Sequence, residues 1–185
     1  MPRIPYPDPA KLPDAMREAL SRAPINVVRM MAGASPAVFD GFNKFSSAFY
    51  GPSKLGAHLR EVAILRVGYL SNSAYETYQH EALARQVGIT DMQIDAIKHG
   101  GEHPGVLDED QQAVMNFTDD VVRNVRASDA TLGAVRKFLS DEVVLDLILV
   151  IGLYMAVSRF LETAGVELDT APLDWKRTVD GAMRK

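Results

Sequence analysis

Two consecutive helical patterns between Leu59 and Gly88 restrict the fold of this chain more than any other feature. The stretch reads LREVAILRVGYLSNSAYETYQHEALARQVG. Its first half is strongly apolar around Glu61, and the polar residues 71–73 interrupt the pattern before a second helix that ends at Gly88. A glycine just past the last helical residue is a common helix terminator. The stretch therefore predicts a helical hairpin, and we expect the rest of the chain to pack around it.

The rest of the chain also shows helical spacing, and no useful length of it alternates polar and apolar residues with the period of a strand. The central hairpin is expected at 54–70 and 74–87, and two later helices at 128–139 and 140–160. Between Ser35 and Gly51, apolar residues recur at three- and four-residue steps, which predicts one buried stripe. Its members are Val38, Phe39, Phe42, Phe45 and Phe49. The sequence predicts an all-α helical bundle of about eight helices.

The chain is expected to form one domain over residues 1–185. Prolines make residues 1–12 an extended arm, because proline lacks a backbone donor and disfavours helix in its predecessor. Residues 55–97 contain the core motif, and residues 166–185 are predicted to be an irregular tail. The 140–160 helix is apolar nearly all round and must be covered on every side. We therefore expect a homo-oligomer, a dimer, trimer or hexamer.

Composition excludes several functional classes. The chain has no cysteine, so it can form neither disulfides nor thiolate nucleophiles nor cysteine-ligated metal sites. Its formal net charge of −4 and scattered basic residues argue against a nucleic-acid partner. The longest uninterrupted apolar run, Leu147 to Val157, has eleven residues, and a spanning helix needs roughly 20. We expect no membrane partner and a cytoplasmic location.

Ionisable residues on the hairpin indicate acid–base chemistry. Ser73, Glu76 and His80 share one face of the second helix, and that face continues into apolar residues. Glu61 lies on the apolar face of the first helix, so the three ionisable groups are expected to converge. A histidine between carboxylates in a dry pocket can exchange a proton near neutral pH. Two structural interpretations stay open: Ser73 and Glu76 match a capping box, and Glu76 and His80 match an ordinary i,i+4 pair.

Two further interpretations of these residues stay open. Glu61, Glu76 and His80 could hold a divalent metal ion, with His99 and His103 as further ligands, although di-metal bundles repeat Glu-x-x-His on two helices. The segment from His99 to His103 is otherwise expected to be a solvated loop. Arg66 could bind a substrate carboxylate, but an exposed helical arginine is the favoured interpretation. We expect no metal and no cofactor.

The hairpin resembles the carboxymuconolactone decarboxylase family, which includes the AhpD-like alkylhydroperoxidases. The resemblance covers residues 55–97. The family pattern is a helix opening Arg-Glu, a break, and an aromatic-Glu-x-x-x-His helix ending Ala-x-x-x-Gly-Ile or Ala-x-x-x-Gly-Leu. The matching residues are Arg60-Glu61, Tyr75-Glu76, His80, Ala84 and Gly88-Ile89.

The resemblance implies a fold, a site and a class of reaction. The family's peroxidase branch has two cysteines at the positions of Ser73 and Glu76, so this chain cannot be a thiol peroxidase. The decarboxylase-like branch implies a cofactor-free decarboxylase or related lyase acting on a small carboxylated or lactone substrate. His80 is then the acid/base, Glu61 orients it and Glu76 tunes its charge, while Ser73 and Tyr75 bind substrate. The alternative is a catalytically inert oligomeric or binding protein of the same fold.

Overall fold

The computed structural model describes residues 1–100 and 104–174, and this part of the chain contains helices and connecting segments without a strand. Nine α-helices lie within it, which confirms the all-α prediction and exceeds the expected number by one. They are α1 (Asp14–Arg22), α2 (Asn26–Met31), α3 (Pro36–Ala48), α4 (Ala57–Leu70), α5 (Ala74–Gln86), α6 (Asp91–Lys98), α7 (Glu109–Asn124), α8 (Asp129–Val135) and α9 (Asp141–Ala164).

Helix α4 forms the centre of the bundle. Every residue from Arg60 to Gly68 is buried, and α5, α6, α7 and α9 pack around it. At Gly68, an added Cβ would lie 3.1 Å from the Thr77 Cγ2 and 3.4 Å from the Glu76 Cβ. A larger residue there would push α5 away, so the glycine permits the close approach of the two hairpin helices.

Helix boundaries follow local chemistry for the most part. Thr90 and Gln93 form a capping box with both of its hydrogen bonds, and α6 begins there. The helix predicted over residues 128–139 is shorter in the structure. Helix α8 ends at Val135, and residues 136–138 form turns. The last helix is longer than predicted and extends to Ala164. Gly165 terminates it with a φ of 68°, a backbone conformation that favours glycine.

The predicted buried stripe on α3 is only partly correct. Phe39 and Phe49 are buried, but Val38 is 62% exposed and Phe45 is 41% exposed. Phe42 is half-buried, packs against the edge of the core and lines a cavity. The stripe therefore divides between core, cavity wall and surface, because α3 lies at the edge of the bundle.

The two ends of the chain lie against the bundle. Backbone N–H groups of Arg3 and Ile4 donate to the Ala164 carbonyl at 2.8 and 3.1 Å. The proline-rich arm thus packs on the end of α9, although Pro9–Lys11 form a short 3₁₀ turn rather than extended chain. Residues 166–174 cross α2 and α5 without forming a helix.

Helix α9 has one face in the core and one at the surface. By length and composition alone, its 24 residues could span a membrane, and an apolar window within them has a mean hydropathy of 2.1. Half of that apolar window is buried inside the bundle. Core helices of soluble proteins have the same property. The outer face exposes three large apolar side chains, Leu145, Ile148 and Leu149.

Candidate active site

The hairpin brings Glu61, Glu76 and His80 into one buried cluster. The Nδ1 of His80 lies 2.7 Å from a Glu61 carboxylate oxygen, and the Nε2 of His80 lies 3.5 Å from a Glu76 carboxylate oxygen. All three side chains are at most 5% exposed. The imidazole is therefore positioned between two carboxylates, one from each hairpin helix.

Glu61 is held from behind by Arg60. The Arg60 Nε donates to the second Glu61 oxygen at 3.0 Å, and Arg60 Nη1 donates to the Phe49 carbonyl at 2.8 Å. The guanidinium also stacks 4.3 Å from the centre of the Tyr50 ring. Both charges are buried, and a buried charge is tolerated only when it is paired and hydrogen-bonded. Arg60 thus holds the Glu61 carboxylate in position, and that carboxylate in turn orients the His80 ring.

This arrangement sets the orientation and the charge of His80. When the ring is neutral, Glu61 selects the tautomer with its proton on Nδ1, so that Nε2 faces Glu76. Burial lowers the pKa of His80, but the Glu61 charge, its hydrogen bond and the Glu76 charge raise it more, and the resulting pKa is raised. The Tyr154 ring meets the imidazole edge to face, with ring centres 4.9 Å apart.

Glu76 is a weak acid in this environment. Burial raises the pKa of its carboxyl to about 7, with a further rise from the Glu61 charge and an opposing effect of His80. A carboxyl group with a pKa near neutrality can be donor or acceptor under physiological conditions. His80 and Glu76 therefore form a pair that can exchange one proton.

The pair lies at the inner end of an open cavity of about 830 Å³. Glu76, His80, Tyr50 and Tyr154 contribute its polar surface there, and Glu61 lies behind His80 instead of at the wall. The walls come from α1, α2, α3, α9 and the tail. Their apolar members include Met16, Val28, Met31, Phe39, Phe42, Leu153, Val157 and Leu173. A mostly apolar cavity with a few converging polar groups is the usual form of a small-molecule site.

The capping-box interpretation of Ser73 and Glu76 is wrong. Ser73 occupies the N-cap position of α5, but its side chain accepts no capping hydrogen bond, and Glu76 faces His80 instead. The Ser73 hydroxyl is buried and has no hydrogen-bond partner among the described residues. It also lies outside the cavity wall, so its predicted contact with substrate finds no support in the geometry.

Tyr75 does line the cavity, but its hydroxyl is engaged by the tail. It donates to the Asp169 carboxylate and accepts from the Val27 backbone N–H at 3.1 Å. Gln79 donates to the same carboxylate at 2.8 Å. Tyr75 thus joins the hairpin to α2 and to the segment that carries Leu173 into the cavity.

The expectation that Arg66 is an exposed arginine is wrong. Arg66 is 4% exposed and forms an ion pair with Asp119, including a 2.8 Å bond from Nη2. Its Nη1 donates to the carbonyls of Ile97 and Lys98 at 2.8 and 3.1 Å. Arg66 therefore joins α4 to α6 and α7, on the side of α4 remote from the cavity.

The geometry also disfavours the metal interpretation. Glu61 and Glu76 face opposite nitrogens of His80, so the three side chains do not converge on one ion. No group of three potential ligands with metal-site geometry occurs among residues 1–100 and 104–174. His99 is largely exposed, and its Nδ1 is 2.9 Å from the Asp95 carbonyl. His103 lies outside the described residues.

Sequence reasoning missed Tyr50 and Tyr154, whose hydroxyls hydrogen-bond to each other at the inner end of the cavity. Tyr154 places a hydroxyl within the apolar run of α9, and a tyrosine in a buried helix must find a partner for its hydroxyl. That signal marks Tyr154 as a candidate, but it does not reveal that the partner lies 104 residues earlier in the chain.

Comparison with known proteins supports the fold and the family. The carboxymuconolactone decarboxylase family profile matches residues 36–105. A search of curated proteins gave no match. The fold is similar to that of a peroxidase-related protein from Ralstonia eutropha described as an alkylhydroperoxidase AhpD core. The two share 21% identity and a TM-score of 0.79, over 91% of this chain and 93% of that chain.

Two other solved structures extend the comparison. A peroxidase-related protein from Silicibacter sp. shares 17% identity and a TM-score of 0.74, over 91% of both chains. The debrominase Bmp8, in complex with 2,3,4-tribromopyrrole, shares 11% identity and a TM-score of 0.74, over 97% of this chain and 96% of that chain. At such identities these structures establish the fold alone. The chain therefore has the AhpD-like fold, contains no cysteine, and is similar over residues 36–105 to the carboxymuconolactone decarboxylase family.

Proposed function

We propose that this chain is a cofactor-free decarboxylase or related lyase that acts on a small carboxylated or lactone substrate. One observation carries the proposal: His80 Nε2 and a Glu76 oxygen lie 3.5 Å apart at the inner end of an open 830 Å³ cavity. A closed contact without a cavity would favour an inert protein. The open arrangement leaves room for a reacting molecule beside both groups.

The two groups can supply the proton transfers that such a reaction needs. In a decarboxylation, the electron pair of the breaking C–C bond moves into a conjugated carbonyl as CO₂ departs. The resulting enolate then takes a proton at carbon, from Glu76 or from the His80 imidazolium. In a lactone rearrangement, one group removes a proton from one carbon of the substrate, and the other group donates a proton to a different atom of the substrate. Positioned acid–base groups typically accelerate such steps about 10² to 10⁴-fold.

Glu61 acts as a positioning residue in this proposal. It contacts His80 Nδ1 at 2.7 Å and stabilises the imidazolium that forms when His80 accepts a proton. Arg60 holds Glu61, so neither residue needs to touch the substrate. A thiol-dependent peroxidase reaction is excluded, since the chain has no cysteine thiol to act as the nucleophile.

We further propose that the protein is a homo-oligomer assembled through the outer face of α9. Leu145 is 61% exposed, Ile148 38% and Leu149 49%, and all three lie on the same side of the helix. Clustered exposed apolar residues of this kind are typical of subunit interfaces.

The experiment that tests the activity is a substrate screen with matched variants. Wild type, His80→Ala and Glu76→Gln are assayed for CO₂ release and for lactone turnover against panels of small carboxylates and lactones. Glu81→Gln is the control, because Glu81 follows His80 in sequence but lies outside the cavity. Its carboxylate accepts a hydrogen bond from the Tyr69 hydroxyl at 2.9 Å.

We expect His80→Ala to lose at least about 100-fold in kcat/KM, whereas Glu81→Gln keeps wild-type activity. Equal activity of wild type and His80→Ala would remove His80 from the mechanism. Ligand binding without turnover of any substrate would favour the alternative, an inert binding protein of this fold.

A further inference from the structure

Tyr50 and Tyr154 place two hydroxyl groups at the inner end of the cavity, beside the acid–base residues. The hydroxyls hydrogen-bond to each other, and both residues line the cavity. The Tyr154 ring packs edge to face on the His80 ring, with centres 4.9 Å apart. The Tyr50 ring lies 4.3 Å from the Arg60 guanidinium. Each tyrosine is therefore held in position by a residue of the buried acid–base cluster.

A hydrogen bond between two hydroxyl groups uses one of their two protons. Whichever tyrosine donates within the pair, the other hydroxyl directs its own proton to an acceptor outside the pair. Donation within the pair also polarises that second O–H bond and strengthens it as a donor. Burial raises the pKa of both phenols, and the Glu61 charge adds to the rise at Tyr50. Both groups thus stay protonated near neutral pH and act as donors instead of bases.

Other donors on the cavity wall are committed to acceptors of the protein. Two of them bond to the Asp169 carboxylate and two to backbone carbonyls: Tyr75, Gln79, Ser46 and Ser47. The cations at the rim, Arg22 and Lys44, are exposed and paired with carboxylates. The tyrosine pair differs from these groups in two respects, since it lies beside His80 and its internal hydrogen bond occupies only one of two protons.

The charges of the cluster favour an anionic oxygen beside the pair while Glu76 is protonated. Burial raises the pKa of Glu76 to about 7, so its carboxyl can be neutral under physiological conditions. In that state, with His80 protonated, Arg60 and His80 are positive and Glu61 is negative. One positive charge is then unbalanced. An oxygen that becomes negative at this point is stabilised by that charge as well as by the hydroxyl donor.

We propose that the Tyr50–Tyr154 hydroxyl pair donates a hydrogen bond to the substrate oxygen that becomes negative during the reaction. The inference rests on the proposed function for the reaction itself and adds two residues to its machinery. The electron pair of the breaking C–C or C–H bond moves onto a carbonyl oxygen, and the pair donates to that oxygen without losing a proton. The charge leaves the oxygen when carbon takes a proton from Glu76 or His80.

The two kinds of donor have separate tasks in this reaction. A group that gives its proton to carbon cannot at the same moment hold the anionic oxygen, so a second, fixed donor is needed. Loss of one such donor typically lowers kcat by about 10² to 10³-fold. The hydroxyl that contacts the substrate is the catalytic group, and the hydroxyl bonded to it is a positioning group.

Binding of 4-nitrophenol tests the donor without any turnover, because its ionised oxygen resembles the oxygen of an enolate and its absorbance reports the ionised fraction. The probe is titrated with full-length wild type, both single Tyr→Phe variants and Tyr50→Phe/Tyr154→Phe at pH 6, below the pKa of Glu76. We expect the wild type to increase the ionised fraction above that of the free probe. In the double variant, ionisation of the bound probe should be at least about tenfold less favourable.

The single variants and a matched control identify the source of this effect. Tyr50→Phe and Tyr154→Phe should each have a smaller effect than the double variant, because the remaining hydroxyl can still donate alone. Tyr69→Phe is the control, since it also removes a hydrogen bond, from the Tyr69 hydroxyl to Glu81 at 2.9 Å, but lies outside the cavity. Circular-dichroism spectra and melting curves verify folding. Replacing both partners of a hydrogen bond by apolar groups of similar shape costs little stability.

Kinetics with a substrate found in the screen provide the second measurement. The double variant should lower kcat about 100-fold or more and change KM by less than about threefold, because the hydrogen bond is strongest when the oxygen is charged. A purely structural role of the pair would change neither the probe's ionisation nor kcat selectively. Tyr69→Phe should keep the wild-type kcat and KM.

Several outcomes would overturn the inference. They are a wild type that does not bind 4-nitrophenol or leaves its ionisation unchanged, and a double variant with wild-type probe ionisation or wild-type kcat. Failure of the proposed function gives a different result. Probe ionisation that depends on the tyrosines, without turnover of any substrate, would leave the donor pair intact and contradict the enzymatic proposal. Turnover that depends on His80 but not on the tyrosines would do the reverse.

Discussion

The raised pKa of Glu76 predicts that this one side chain makes the stability of the protein depend on pH. The carboxyl has a pKa of about 7 in the folded protein against an ordinary value of 4.5. Between these two values the folded protein binds a proton that the unfolded chain has released. The proton's contribution to stability is therefore fully present below pH 4.5 and is lost as the pH rises through 7.

The magnitude follows from the same two values. The full difference corresponds to about 3 kcal/mol of unfolding free energy, and most of it is lost between pH 5 and pH 8. His80 acts in the same direction, because its pKa is also raised in the folded protein and its contribution disappears at higher pH. Replacing Glu76 by glutamine removes the titrating group while preserving its size.

Urea unfolding of wild type, Glu76→Gln and Glu81→Gln at pH 5 and pH 8, followed by circular dichroism, measures this effect. We expect the stability lost between the two pH values to be about 2 to 3 kcal/mol smaller in Glu76→Gln than in wild type. Glu81→Gln should follow the wild type. If Glu76→Gln loses as much stability as wild type, to within about 0.5 kcal/mol, Glu76 does not take up a proton on folding.

Three further predictions concern other parts of the molecule. Arg66→Ala should lower the unfolding free energy by about 3 kcal/mol in urea denaturation, because it leaves Asp119 and two helix-end carbonyls without their donor; a loss below about 1 kcal/mol would contradict this role. Leu149→Glu should convert the oligomer into monomers in light scattering after gel filtration, whereas an unchanged mass would place the interface elsewhere. Asp169→Ala should speed amide exchange of Asn26 by about tenfold or more, because alanine has no acceptor for the Asn26 N–H that donates to Asp169 at 2.9 Å; unchanged exchange would show that the tail is held by other contacts.

The sequence was sufficient to predict the hairpin and its cluster because the relevant signals are local. Helical periodicity places Glu61, Glu76 and His80 on apolar faces, and two helices joined by a short break must put those faces together. The family resemblance, confirmed by the profile match, identified the same residues. Thr90 and Gln93 were predictable for the same reason, since a capping box depends on residues three positions apart.

Features that depend on distant partners could not be predicted in this way. Arg66 was expected at the surface because arginines usually are, but its carboxylate partner lies 53 residues later, on α7. Tyr50 lies just beyond the end of α3 and Tyr154 lies on α9, so their contact depends on the tertiary packing of distant parts of the chain. The exposure of Phe45 is likewise decided by the position of α3 at the edge of the bundle, which periodicity does not specify.

The division of the cavity between chain segments has a consequence for protein engineering. The acid–base residues come from α4 and α5, whose spacing is fixed by the close approach at Gly68. Much of the wall comes from α1, α2, α9 and the Leu173 segment, which lie outside the residues that match the family profile. Libraries confined to those wall residues can therefore reshape substrate choice while the proton-transfer machinery stays intact.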